Sequence, residues 1–154
     1  MQKHSIFFLI FSTTLIACSE NLKKDPAVSS TTAIEGTWKL LTATVIEKGD
    51  TTITDYTKDK SFIKIINASH FAFLQHGLDK IKDSSFSAGG GSYMLKGNSY
   101  TEHLEYCNAT EWEGNDFTFT VTITGDTLVQ SGVEKIEAEG INRINTEKYI
   151  RVKN

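Results

Sequence analysis

The chain has 154 residues, 39% hydrophobic, 23% charged and 10% aromatic, which predicts one globular domain. Its formal net charge is −3 and no basic patch is visible, which argues against a nucleic-acid partner. The single proline, Pro26, lies early in the chain, so residues 27–154 hold nothing that must interrupt a strand ladder.

The first stretch is a targeting signal. Met1-Gln2-Lys3-His4 is a short positive region, and Ile6 to Ala17 is apolar but shorter than the roughly 20 residues needed to span a bilayer. Residues 1–17 therefore read as a signal peptide. Leu15-Ile16-Ala17-Cys18 resembles the lipobox of bacterial lipoproteins. That resemblance implies cleavage before Cys18 and lipidation of its thiol, hence a membrane anchor without a transmembrane helix. Several acyl chains at about 0.8 kcal/mol per buried CH₂ give lasting attachment. Ser19 follows the Cys where inner-membrane retention uses Asp, so the resemblance points to the cell envelope and its outer membrane. Without residues 1–17 the chain carries 15 basic and 19 acidic residues, a net of −4. Cys18 to Ala33 is polar, rich in Ser, Thr and Lys, and aperiodic; it reads as a flexible tether. With Cys18 lipidated, Cys107 is alone and no internal disulfide is expected.

Residues 34–154 read as one run of strands. Thr37 to Glu47 alternates, which places Trp38, Leu40, Thr42, Thr44 and Ile46 on one face. Lys48-Gly49-Asp50 turns into a β-prone run, Thr51 to Tyr56. Ser61 to Ile66 and His70 to Gln75 are strands around an Asn67-Ala68-Ser69 turn. Gly77 to Ser85 is a polar loop in which Leu78 to Ile81 suits a short helical turn. Gly89-Gly90-Gly91 lacks the Lys-Ser/Thr and the following helix of a phosphate loop, so it marks a bulge or bend beside the strand that ends at Leu95. Lys96-Gly97-Asn98 turns into Ser99 to Tyr106. Phe117 to Thr124 is the clearest strand, and Gly125-Asp126 turns it into Thr127 to Ser131. Glu134 to Glu139 is a weak helix candidate, and Ile144 to Val152 closes the chain. The pattern is all-β and suits a sandwich or an up-and-down antiparallel barrel.

Gly36-x-Trp38 at the start of the first strand resembles the signature of the calycins, the superfamily of lipocalins and fatty-acid-binding proteins. There the Trp closes one end of the barrel under a basic residue from the last strand. Arg151, one of only two arginines, is the matching candidate. The run from Gly90 through Tyr100-Thr101-Glu102-His103-Leu104-Glu105-Tyr106 to Gly132 is similar to a lipocalin-like domain family of bacterial secreted and lipid-anchored proteins. The resemblance spans Trp38 to Arg151. It implies a calycin-like barrel of about eight strands closed by Gly36, Trp38 and Arg151, and it carries no established activity. Members often end in Trp-Lys-Arg, where this chain has Tyr149-Ile150-Arg151.

Little in the chain points to chemistry. No Gly-x-Ser-x-Gly elbow, His-Glu-x-x-His or other nucleophile–base pair can be read, so neither an enzyme nor a cofactor is expected. His103 and Cys107 share a predicted strand face but would lie roughly 13 Å apart, too far to share a zinc ion, and no metal is expected. In the strand Tyr100–Cys107 the face Tyr100, Glu102, Leu104 and Tyr106 is the more apolar and is expected to point inward. Thr101, His103, Glu105 and Cys107 then face out. An inward Glu102 either greets a ligand's polar end or sits near the mouth, solvated or held by a tyrosine hydroxyl. Phe71, Phe73, Phe117 and Phe119 join that inward face. They either line a cavity for a small apolar or amphipathic ligand or fill the barrel of an envelope structural or interaction module.

Overall fold

The computed structural model describes residues 33–153. The stretch read as a signal peptide, Cys18 and the expected tether up to residue 32 lie outside the described residues. The described residues form nine strands: β1 Gly36–Glu47, β2 Asp50–Asp55, β3 Lys60–Ile66, β4 His70–Gly77, β5 Phe86–Lys96, β6 Ser99–Cys107, β7 Asp116–Thr124, β8 Thr127–Ile136 and β9 Ile141–Arg151. From β3 to β9 each strand pairs antiparallel with the next. β1 pairs with both β3 and β9, which closes an eight-stranded up-and-down barrel. β2 is the extra strand, laid against the second half of β1. Closure leaves the eight barrel strands no free edge along most of their length.

Several predicted boundaries shift. β8 runs on to Ile136, so Glu134 belongs to a strand, and only Glu137–Glu139 forms a single 3-10 turn. The three glycines lie inside β5 rather than ahead of it. Residues 79–83 do make a tight turn, with the Lys82 and Asp83 amides donating to the Asp79 carbonyl.

Two β-bulges set which side chains enter the barrel. Leu40 pairs with Tyr149 and Thr42 with Lys148, so Leu41 has no partner on β9. Side-chain alternation therefore changes phase there. Trp38 and Leu40 point inward as expected, but Ala43 and Val45, not Thr42, Thr44 and Ile46, continue the inner face. The second bulge lies on β6. Gly91 faces Leu104 and Gly90 faces Tyr106, leaving Glu105 unpaired. A Cβ on Gly91 would collide with the His103 carbonyl and the Glu105 amide, so only glycine admits this approach.

One end is sealed. Trp38, wholly buried, donates from Nε1 to the Ile34 carbonyl at 2.8 Å. The Arg151 guanidinium lies 4.0 Å from the centre of the Trp38 ring, and it donates to the carbonyls of Glu35 at 2.6 Å and Ala33 at 2.7 Å. Gly36 has φ +132°, and a Cβ there would stand 2.7 Å from Arg151. Both the backbone angle and the closing arginine thus require glycine. Ile34, Leu40, Leu128, Tyr100 and Tyr149 complete this buried end.

Candidate functional site

Above the sealed end lies a cavity of about 370 Å³. Its apolar walls come from β1 (Ala43, Val45), β3 (Phe62), β4 (Phe73), β6 (Leu104) and β7 (Phe117, Phe119). Phe62 and Phe73 stack with ring centres 5.6 Å apart. Trp112, from the 3-10 turn Thr110–Trp112 between β6 and β7, lies against Phe117 at 5.6 Å and carries the Arg143 guanidinium 5.0 Å from its ring centre.

The floor is a polar layer. Lys64 on β3 is 2% exposed, and its ammonium donates to Glu102 Oε1 at 2.6 Å and to Gln130 Oε1 at 3.1 Å. The rings of Phe71, Tyr100 and Tyr149 surround the same ammonium, their centres 5.6, 5.9 and 5.6 Å away. A charge taken from water is held only where partners of this kind replace its hydration. Gln130 passes the network on, donating from Nε2 to Glu147 Oε2 at 2.7 Å, and the Tyr149 hydroxyl donates to the same oxygen at 2.7 Å. Nearer the mouth, Glu134 accepts from Arg143 Nε at 2.6 Å and from Asn145 Nδ2 at 2.8 Å.

Burial dominates the electrostatics. It pushes the Glu147 carboxyl above the usual carboxylate range, with Lys64 and the Tyr149 hydroxyl opposing it. Burial, then the charge of Glu147, pushes the Tyr149 phenol far up. Burial, then Glu102, does the same to Tyr100. Both tyrosines therefore stay neutral; Tyr149 donates to Glu147, whereas the buried Tyr100 hydroxyl has no hydrogen-bond partner.

Of the eight residues the sequence assigned to a ligand, Phe73, Glu102, Leu104, Phe117 and Phe119 line the cavity. Phe71 and Tyr100 are buried beside the Lys64 ammonium instead. Tyr106 is 69% exposed: the Glu105 bulge turns it outward and brings Cys107 to the cavity wall. His103 and Cys107 therefore do not share a face. Glu102 is neither solvated nor near the mouth, because Lys64 holds it inside the barrel. Glu105 is not a bystander either. Its Oε1 accepts from the Ser92 amide at 3.0 Å and the Ser92 hydroxyl at 2.7 Å, which ties the bulge to β5 and lowers its own pKa.

Sequence reasoning missed Lys64, Gln130, Glu134, Arg143, Asn145 and Glu147. A signal for the last three exists. Counting back by twos from Arg151, already assigned to the barrel closure, reaches Tyr149, Glu147, Asn145 and Arg143. The register then sets Gln130 opposite Glu147 and Glu134 opposite Arg143.

Among the described residues no group of three His, Cys, Asp or Glu side chains could hold a metal ion. Outside the barrel, His103 bonds Asp116 at 2.6 Å. The chain matches no protein-family model and no curated protein.

Proposed function

We propose that this protein is a lipid-anchored, lipocalin-like binding module of the cell envelope that carries a small amphipathic ligand in its barrel. One observation carries the binding part: the 370 Å³ cavity, walled by aromatic side chains over a few fixed polar groups. That size falls in the range of about 300–1,000 Å³ typical of small-molecule sites, and the lining has the usual balance of apolar wall and sparse polar contacts. A barrel filled by its own side chains would leave no such space. The Gly36–Trp38–Arg151 closure supports the calycin resemblance, and the Leu15-Ile16-Ala17-Cys18 stretch supports the anchor.

Native mass spectrometry of the protein purified from its own cells tests the binding part. A reproducible extra mass, released on denaturation, is the expected result. Apo protein alone, in repeated mild preparations, favours the structural or interaction module instead. The anchor is tested separately with a metabolically incorporated fatty-acid analogue. Label on the wild type and none on Cys18→Ala is expected, and equal label on both removes the lipoprotein reading.

A further inference from the structure

The polar groups of the cavity are unevenly matched, and this narrows the ligand. Two cations line it, Lys64 and Arg143, and three carboxylates, Glu102, Glu134 and Glu147. Each cation is already paired with one carboxylate, Lys64 with Glu102 and Arg143 with Glu134, both at 2.6 Å. A ligand carboxylate or phosphate would find the charge of each cation already offset by a carboxylate and would meet a third acid. Glu147 has only neutral donors, Gln130 and Tyr149, and both bonds fall on Oε2. Two residues away on the same face of β9 is Asn145, 7% exposed and also on the cavity lining. Its amide nitrogen is used by Glu134, and its buried Oδ1 accepts no hydrogen bond. A buried acceptor without a donor is costly unless something supplies one.

We propose that the barrel selects amphipathic molecules whose polar end is a cationic hydrogen-bond donor, a primary amine on an aromatic or alkyl body. The inference rests on the binding reading above and names its ligand class. Glu147 and Asn145 lie about 6–7 Å apart along β9, close enough for one ammonium, with its three donors, to address both. The amine's charge offsets the third carboxylate, and one of its protons satisfies Asn145 Oδ1. The rings of Phe62, Phe73, Phe117 and Phe119 take the apolar body, and aromatic faces also favour a nearby cation. The carboxyl of Glu147, raised chiefly by burial, is the one that an incoming ammonium relieves most.

Three probes with one apolar body separate the cases: 4-phenylbutylamine, 4-phenylbutan-1-ol and 4-phenylbutyrate. Each is titrated into the full-length protein at neutral pH. Calorimetry gives the affinity, and the fluorescence of Trp112 on the cavity wall reports its place. The amine should bind at least about tenfold tighter than the acid, a difference of about 1.4 kcal/mol, with the alcohol between them. Glu147→Gln keeps the side-chain shape and an acceptor for Gln130 and Tyr149; it should weaken the amine about tenfold and leave the alcohol within about twofold. Thermal unfolding confirms that the variant is folded, and the ranking of probes on the wild type needs no variant. Acid binding as tightly as amine, or equal loss of amine and alcohol in Glu147→Gln, overturns the inference and leaves the binding reading standing. If none of the three binds, and native mass spectrometry also finds no ligand, both fall.

Discussion

Trp38→Ala should lower the unfolding free energy by about 3–5 kcal/mol, the usual cost of removing a large buried aromatic. The ring is wholly buried, its indole nitrogen is bonded to Ile34, and the Arg151 guanidinium rests on its face. Arg151→Ala should cost roughly 1–3 kcal/mol, because it removes the cation–π contact and the bonds that fasten Ala33 and Glu35 across the end of the barrel. The guanidinium has less to pack on once the indole is gone. The double variant should therefore lose less than the sum of the two, by about 0.5 kcal/mol or more. Denaturant unfolding of the four proteins measures this. Losses that add would mean that the two side chains stabilise the chain independently and that the closure is not one unit.

The Lys64–Glu102 pair gives the second large effect. Lys64→Met should cost about 3–5 kcal/mol, because it leaves the Glu102 carboxylate inside the barrel without its cation. Gln130 also loses the donor to its Oε1. Glu102→Gln should cost less, since an amide oxygen can still accept from the ammonium. Lys64→Met combined with Glu102→Leu should recover most of the loss, as replacing a whole buried pair by apolar groups is often close to neutral. The same unfolding curves decide it. A Lys64→Met midpoint indistinguishable from wild type would show that water reaches the pair and screens it.

How much of the barrel and its cavity was legible varies along the chain. β7 was read correctly because Phe117, Phe119 and Val121 alternate with threonines, with apolar residues on the inner face and polar residues on the outer one. The sealed end was legible through Gly36, Trp38 and Arg151, since a glycine beside an aromatic and a rare arginine near the last strand's end leave a local mark. Lys64 left none. On β3 the outward residues are Ile63 and Ile65, and Ile65 is 42% exposed, while the lysine between them points in. A rule that turns the more apolar face inward assigns that face wrongly, because the energy of the lysine comes from Glu102, 38 positions away, and Gln130, 66 positions away.

The bulges mark the same division. Alternation along the chain determined that the domain is all-β, where most strands run, and where its turns fall, because period-two patterning and turn chemistry act between neighbours. Alternation carries no count of residues on the partner strand. Only the pairing of β1 with β9 left Leu41 over, and only that of β6 with β5 left Glu105 over. Each extra residue flips every side chain beyond it. Tertiary structure thus put Ala43 and Val45 inside in place of Thr42 and Thr44, and Cys107 in place of Tyr106. It also assembled the polar floor, whose members come from β3, β6, β8 and β9. A buried charge is stable only with its partner present, and those partners meet only when the barrel closes.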